Sequence, residues 1–230
     1  MASTSTPAPP EHRWPPLIAV VVALVLYALL PSAFSPWVRG MTVLIGVGLL
    51  VPLIALNPVR FNRETRWSRR LSIALDVVLL VANQIQLVQL VVILATGRSS
   101  DGGTVLLAAL QVWVTNIIAF ALVFWELDRG GPVARSTMSR EQMVPADFRF
   151  PQDEDDDAVT EVASRSSAKT GWTADFVDYL YFSLSNSMAF SPTDVMPLSH
   201  RAKLLMALEA VAGFILLALV IARSVNILAG

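Results

Sequence analysis

Long apolar runs with few charges are the main hydrophobic pattern of this 230-residue chain. A helix of about 20 residues, rising ~1.5 Å per residue, crosses the roughly 30 Å hydrocarbon core of a bilayer. The pattern predicts four spans, at residues 17–30, 41–56, 71–96 and 103–125, and a long C-terminal helix from residue 198 onward. We therefore expect an all-α transmembrane fold.

The chain begins with a polar stretch. Residues 1–16 are rich in serine, threonine and proline, which is typical of a disordered tail. The apolar run at residues 17–30 also has the length of a signal-peptide core, but residues 31–34 form a poor cleavage site and a second apolar run follows at once. We therefore expect a disordered tail followed by a first helix that is retained.

A shorter amphipathic segment, residues 172–190, precedes the last helix. It combines two early aspartates with a band of aromatic residues, which is typical of a short re-entrant or interfacial helix. A full crossing, as a short sixth segment, stays open as the alternative. The turn that follows, residues 190–194, is non-helical backbone near membrane depth and must be covered by protein or water.

Charge is unevenly distributed along the chain. The loop at residues 58–70 carries five arginines against one glutamate, a net charge of +4, and the positive-inside tendency predicts that it is cytoplasmic. Residues 126–171 hold ten acids and six bases, a net of -4, with an unbroken acidic run at 153–157. We expect an acidic, largely flexible loop there, and no metal site, because the run lacks the spacing of calcium-binding loops.

Composition excludes several functions. The chain is 54% hydrophobic and 15% charged with a net charge of -1, so the bilayer is its expected partner and nucleic acid is not. It has no cysteine, which removes thiol catalysis and cysteine-based metal sites. Its two histidines, His12 and His200, lie outside the spans. We expect neither an enzyme nor a bound cofactor, since no catalytic constellation is present.

Polar side chains interrupt the third and fourth spans. Such residues are costly in hydrocarbon, so they face protein or water and serve either helix packing or an ion or proton pathway. Helical spacing places Asp76, Asn83 and Gln86 of the third span within about one face, and the amides of the fourth span are natural partners for those of the third. The candidates are Asp76, Asn83, Gln86, Gln111 and Asn116.

The C-terminal helix contains one acid and a central glycine on a single stripe. Steps of four and three residues connect Ala202, Met206, Glu209, Gly213 and Leu216, and the stripe continues to residues 220 and 223. In a pore, this stripe lines the lumen; in a packed bundle, Glu209 bonds to a neighbour and Gly213 admits another helix. The candidate pore residues are Ser191, Thr193, Asp194, Glu209 and Gly213.

The terminal unit resembles, without a gap, the pore helix, filter and inner helix of two-span bacterial potassium channels. The resemblance rests on residues 182–185, on Asp194, Val195 and Pro197, and on residues 202–213. It fails at the filter: the family has Thr-Val-Gly-Tyr-Gly-Asp, and residues 189–194 read Ala-Phe-Ser-Pro-Thr-Asp. The resemblance implies a tetrameric pore, but a filter without glycines is not selective for potassium.

The whole chain resembles an uncharacterised family of bacterial multi-pass integral membrane proteins. The residues that carry this resemblance are 57–70, 125–132 and 178–197. It implies a location in the bacterial inner membrane and brings no known activity.

Charge and resemblance disagree about topology. A cytoplasmic arginine-rich loop makes residues 126–171 cytoplasmic too, and residues 172–190 then enter from that side, whereas potassium channel pore loops enter from outside. We expect a channel-like pore-loop protein that is not selective for potassium. The alternatives are a non-conducting scaffold or accessory subunit, and a small-solute carrier with a site at Asp76 and Asn83.

Overall fold

The computed structural model of the chain describes residues 11–56, 65–96, 102–154, 159–166, 170–188 and 194–229. Its helices are α1 (Trp14–Ala28), α2 (Pro36–Leu56), α3 (Arg66–Thr96), α4 (Gly102–Leu127), α5 (Pro132–Thr137), α6 (Thr160–Ala163), α7 (Phe176–Ser187) and α8 (His200–Ala229). Short 3-10 turns cover Asp128–Gly130 and Pro151–Asp153. Two short strands, β1 (Phe148–Arg149) and β2 (Met196–Pro197), pair in antiparallel orientation.

Four helices are long and apolar enough to cross a membrane, with spans at Pro36–Ala55, Arg66–Thr96, Gly102–Gly130 and His200–Arg223. They belong to α2, α3, α4 and α8. The first predicted span is the shorter helix α1, whose 15 residues reach about 22 Å at ~1.5 Å per residue. The chain is a mostly helical, multi-pass membrane protein with a long C-terminal helix, which confirms the predicted fold class.

The outward faces of the bundle are apolar. Val25, Leu44, Val81, Leu204 and Val211 are all exposed on the helices that carry them. In water such surfaces are unfavourable, whereas lipid tails cover them without cost. These faces therefore contact the bilayer.

Helix α4 forms the centre of the bundle. It packs against α1, α3, α7 and α8. Of its most apolar 18-residue stretch, 72% is buried, compared with 17% of that in α2 and 22% of that in α8. All residues from 117 to 126 are buried, so this half of α4 has no lipid-facing side. The other elements are therefore arranged around α4.

Side-chain contacts show which helix ends lie together. At one end, here called the basal end, α4 ends and α1, α3, α7 and α8 begin. Arg69 of α3 donates to the carbonyl of Gly130, and Arg13, just before α1, donates to the carbonyl of Ile54 near the end of α2, 3.4 Å away. The opposite end holds the α1–α2 turn, where Ser35 N donates to Gln89 Oε1.

Helix α7 is re-entrant. Its 12 residues are about 18 Å long, too short for a roughly 30 Å core. It starts at the basal end and runs parallel to α8, since Asn186 bonds Glu209 and the backbone of Ser187 lies against Gly213. The chain is back at the basal end at β2, which pairs with β1 just before α8 begins. Of the two predicted alternatives, the structure therefore has the re-entrant segment and not the full crossing.

The N-terminal end of α7 is fixed by its own sequence. Asp175 is the N-cap residue, and its carboxylate accepts hydrogen bonds from the backbone N–H groups of Val177 and Asp178. The carboxylate of Asp178 accepts the N–H of Asp175 in return, 2.8 Å away, which completes a capping box. The two aspartates that made this segment too polar for a span therefore start its helix.

Two predicted boundaries are wrong. The tail was predicted to reach residue 16, but Glu11 accepts hydrogen bonds from α4 and α7, and Arg13 is buried. The segment at residues 126–171 was predicted to be largely flexible, but its Phe148 and Phe150 are buried in the core. Partly buried hydrogen bonds in the first case and aromatic packing in the second hold these residues in place. Residues 1–10 and 155–157 lie outside the described residues.

The fold decides how the loops are placed relative to each other. Thr65–Arg70, the described part of the arginine-rich loop, lies at the same end of the bundle as residues 126–154 and as the start of α7. This is the arrangement that loop charge predicted, and it differs from that of the potassium channels if the arginine-rich loop is cytoplasmic.

Because the chain has no cysteine, single introduced cysteines report this topology directly. Ser139 is exposed at the basal end, and Ser32 is exposed in the α1–α2 turn at the opposite end. We expect a membrane-impermeant maleimide to label S32C in intact bacterial cells and S139C only after permeabilisation, because the positive-inside tendency places the basal end in the cytoplasm. Labelling of S139C from outside would contradict this orientation.

Candidate functional site

A buried carboxyl group, that of Glu209, lies where α4, α7 and α8 meet. Its exposed fraction is 0%, and so is that of Ser183 on α7. Glu209 Oε1 is in hydrogen-bond contact with Ser183 Oγ, and Glu209 Oε2 accepts from Asn186 Nδ2 at 2.6 Å. Ser183 Oγ also bonds the carbonyl oxygen of Ile117 on α4, 2.8 Å away. One acid thus connects three helices.

This carboxyl lies far from both ends of the bundle. Glu209 is about 14 Å along α8 at ~1.5 Å per residue, and Ile117 is about 15 Å from the end of α4, close to the middle of a roughly 30 Å core. Helix α7 ends at Ser187, a single residue beyond Asn186. A helix C-terminus carries a partial negative charge, so the end of α7 and the acid both favour positive charge here.

Helices α7 and α8 touch through their backbones at the same level. A Cβ atom built on Gly213 overlaps the carbonyl oxygen of Ser187 and lies 2.9 Å from its carbonyl carbon. Gly213 is buried, so glycine is the residue type that permits this approach. The glycine predicted either to admit a helix or to line a lumen therefore admits α7.

The predicted stripe of α8 faces the interior of its own chain. Ala202, Glu209, Gly213 and Leu216 are all buried. Among the described residues, the exposed apolar positions of α8 are on other faces, and they include Leu204 and Phe214. The structure thus places Glu209 and Gly213 at the contact with α7 and not on an open lumen.

An aromatic cluster separates the buried acid from the basal end. It consists of Phe124, Phe148, Phe150, Tyr179 and Phe182. Phe124 and Phe148 have ring centroids 4.9 Å and 5.0 Å from that of Phe182, and Phe150 is 5.3 Å from Tyr179. Edge and tilted contacts at these distances are favourable for aromatic pairs. The cluster therefore lies between the Glu209 site and the basal end.

On the basal side of this cluster, the buried carboxylate of Asp128 accepts four hydrogen bonds. Its Oδ1 accepts the backbone N–H groups of Asp147 and Phe148, at 2.8 Å and 3.2 Å. Its Oδ2 accepts from Tyr179 Oη at 2.5 Å and from Arg129 Nη1 at 2.8 Å. Asp128 therefore joins the end of α4 to β1 and to α7.

Arg135 and Glu11 extend this basal network. The guanidinium of Arg135 lies 5.1 Å from the ring centroid of Tyr179 and donates to the carbonyls of Trp125 and Asp128, at 2.7 Å and 2.8 Å. Glu11 accepts from Trp125 Nε1 at 3.0 Å and from the backbone N–H of Phe176 at 2.7 Å. Burial raises the pKa of Glu11 to about 6, although Arg135 and these hydrogen bonds oppose the rise.

The polar residues of the third and fourth spans form a second, separate group between α3 and α4. Asn83 Nδ2 donates to Thr115 Oγ1 and to the carbonyl of Val112, at 2.9 Å and 3.0 Å, and Gln84 Nε2 donates to Asn116 Oδ1 at 3.3 Å. The structure thus brings Asn83 and Asn116 together as a packing seam.

Two other predicted residues lie beside this seam. Gln111 Nε2 donates to the carbonyl of Leu29 on α1, 3.5 Å away. Gln86 is 1% exposed, and neither of its side-chain polar atoms has a hydrogen-bond partner among the described residues. Gln111 therefore connects α4 to α1, whereas Gln86 connects no helices by hydrogen bonds among the described residues.

Asp76 belongs to neither group. It lines a cavity of about 60 Å³ near the basal end, together with Arg13 and Ser72, and its Oδ2 has no hydrogen-bond partner among the described residues. Ser72, one turn earlier on α3, donates to Glu126 Oε2 at 3.2 Å. Leu122 and Trp125 of α4 also line this cavity, and Asn83 does not. Asp76 and Asn83 lie seven residues apart, about 10 Å along α3 at ~1.5 Å per residue, so the structure does not bring together the two residues predicted for a carrier site.

The remaining candidates are in or next to the predicted filter turn. Ser191 and Thr193 lie outside the described residues. Asp194 is exposed, two residues before β2, and therefore near the basal end and not beside Glu209.

Comparison with family models, with curated proteins and with solved structures found no significant match to this chain. The resemblances to potassium channels and to a bacterial membrane protein family therefore stay predictions that rest on the quoted residues.

Several residues of these sites were not predicted as candidates. Ser183 and Asn186 read as ordinary polar positions of a short helix, and only their spacing of three residues on one helical face could have paired them with a buried acid. Asp128 and Arg135 follow directly after a span, where charged residues are common. Their burial depends on a chain that folds back over them.

We expect D128N to destabilise the protein by about 3 kcal/mol, because an amide cannot accept hydrogen bonds from both backbone groups and also from Tyr179 and Arg129. Denaturant unfolding of the full chain in detergent measures this change. D194N is the matched control, since Asp194 is exposed, and we expect a change below about 0.5 kcal/mol. Equal stability of the two variants would contradict the role of Asp128.

We expect G213A to destabilise the α7–α8 contact by about 1–3 kcal/mol, because the new methyl group forces two backbones apart. The matched control is G48A, where a Cβ atom meets no heavy atom within 4 Å. That substitution is expected to be neutral or to stabilise the helix by up to about 1 kcal/mol. Thermal unfolding in detergent distinguishes the two, and a neutral G213A is the outcome that contradicts the contact.

Proposed function

We propose that the protein is a channel-like membrane transport protein for small cations, and that Glu209 is the cation site in its interior. The observation that carries this proposal is the re-entrant helix α7, which ends near the middle of the bundle beside a buried carboxyl group. Membrane proteins build ion sites in this way, from interrupted helices whose ends and side chains meet at mid-depth.

The charges around the site favour a cation over an anion. Glu209 and the C-terminal end of α7 are both negative, and among the described residues no ion pair involves Glu209. An acid inside a membrane costs at least about 2.5 kcal/mol on insertion scales, so its presence at this depth indicates a use. A structural hydrogen bond alone could be made by an amide at much lower cost.

Potassium selectivity is not part of the proposal. A potassium filter needs successive backbone carbonyls and the glycines that orient them, and residues 189–193 contain proline and no glycine. In the proposal, the carboxylate of a single side chain, Glu209, binds the cation instead. We place the protein in the bacterial inner membrane, on the resemblance given above.

The proposed pathway runs inside one chain. Glu209 is enclosed by α4, α7 and α8 of the same protomer, so a cation reaches it between these helices and not along an axis shared by four copies. The tetramer predicted from the resemblance to potassium channels is therefore not required. A non-conducting scaffold is the competing function, because the same hydrogen bonds also hold α7 in the bundle.

Cation flux into liposomes that contain the purified full-length chain tests the proposal. We expect flux above that of protein-free liposomes, and we expect E209Q to reduce it to that background, because the amide keeps the shape of the site and removes its charge. E161Q is the matched control, since Glu161 is exposed on α6, and its flux should equal that of the wild type.

Two outcomes would contradict the proposal. One is the absence of flux from folded wild-type protein, which favours the scaffold. The other is a flux that E209Q leaves unchanged, which places the pathway elsewhere.

A further inference from the structure

The hydrogen-bond donors and acceptors that contact Glu209 indicate its protonation state. Ser183 Oγ lies within hydrogen-bond distance of two oxygen atoms, Ile117 O at 2.8 Å and Glu209 Oε1. A serine hydroxyl has one hydrogen and can donate to only one of them. The carbonyl oxygen of Ile117 is an acceptor in every state. Both contacts therefore contain a hydrogen only if Ser183 donates to Ile117 and Glu209 donates to Ser183.

The second oxygen of the carboxyl group has the complementary role. Asn186 Nδ2 has two hydrogens, and they are directed to the carbonyl of Met206 at 3.0 Å and to Glu209 Oε2 at 2.6 Å. To satisfy both neighbours, Glu209 must donate a hydrogen bond through Oε1 and accept one at Oε2. A protonated carboxyl group has this pattern, whereas a carboxylate is an acceptor at both oxygens.

Among the residues that the structure describes, no charged group balances a carboxylate at this position. The helices packed against α8 carry these charged side chains near the basal end: Asp178 on α7, Glu126 on α4, and Arg66, Arg69 and Arg70 on α3. Asp76, deeper in α3, is an acid and cannot balance a carboxylate. On α8 itself, Arg201 pairs with Asp147 at the basal end, and Lys203 is exposed in the first turn. Arg223 is 14 positions beyond Glu209, or about 21 Å at ~1.5 Å per residue.

The same geometry is unsuitable for a metal cation. Calcium and magnesium ions take about six or more oxygen ligands. Among the described residues, no group of three or more histidine or acidic side chains could hold one. Asn186 directs its amino group, and not its oxygen, at the acid. One turn beyond Glu209 along α8, the backbone of Ser187 lies directly against Gly213.

We infer that Glu209 binds a proton, held between Ser183 and Asn186, and that the proton is the cation carried by the proposed transport function. The part that concerns transport rests on that function; the protonation of Glu209 does not. Loading forms one O–H bond at Oε1 and converts the carboxylate to a neutral acid. The new hydrogen is donated to Ser183 Oγ, whose own hydrogen is donated to Ile117 O. Neutralisation removes the cost of a buried charge.

Infrared difference spectroscopy of the purified full-length chain tests the protonation directly. We expect a carbonyl stretching band of a protonated carboxylic acid at neutral pH, shifted in D₂O, present in the wild type and in E161Q and lost in E209Q. S183A keeps the acid but removes its acceptor, so its band should move to the frequency of a less strongly hydrogen-bonded acid. A wild-type spectrum that is unchanged by E209Q in this region overturns the inference.

Liposomes with a trapped pH-sensitive dye test which cation is carried. We expect the wild type to acidify the lumen when the lumen is made negative, equally in sodium, potassium and large organic cation buffers, and we expect E209Q to abolish this. A Glu209-dependent flux of sodium without proton movement would overturn the inference while supporting the proposed transport function. A carbonyl band of protonated Glu209 without any cation flux would support the proton site and contradict the transport function.

Discussion

The basal half of the structure depends on the hydrogen bonds that the carboxylate of Asp128 accepts. This carboxylate accepts hydrogen bonds from the backbone of β1, from the tyrosine of α7 and from its neighbour Arg129, so three separate parts of the chain meet at one side chain. A buried carboxylate is unfavourable unless it is fully bonded, and each of these bonds is therefore stronger than it would be at the surface. With Asp128 in place, β1 lies where β2 can pair with it, and the chain returns to the basal end before α8.

A half-length helix inside a membrane needs partners at both ends. The N–H groups at the start of α7 bond to the two aspartates of its capping box and to Glu11. Its sides are covered by α4, α8 and the aromatic cluster, and its last turn lies against Gly213. The basal network and the Glu209 site are thus two ends of one arrangement: the first fixes where α7 starts, and the second is formed by the residues with which it ends.

The apolar runs predicted α2, α3, α4 and α8 as spans, and composition predicted the re-entrant segment, because both depend on local sequence; the first predicted span is the shorter helix α1. Periodicity predicted which faces of the helices are polar. It indicated the polar faces of α3 and α4 and the stripe that contains Glu209. It could not decide what the stripe faces, since a lumen and a neighbouring helix impose the same pattern. The errors have the same origin: Phe148, Phe150 and Glu11 lie in stretches too short or too polar to show a period, and distant residues hold them in place.

The contact between Gly213 and Ser187 has a consequence for motion. A gate made of side chains opens when one of them changes rotamer, in picoseconds to nanoseconds. Main-chain atoms have no such alternative, so the end of α7 separates from α8 only if one of the two helices shifts or tilts as a unit. Collective helix movements of this kind take microseconds to milliseconds. Any route to the interior acid that passes this contact is therefore tied to a slow movement of whole helices.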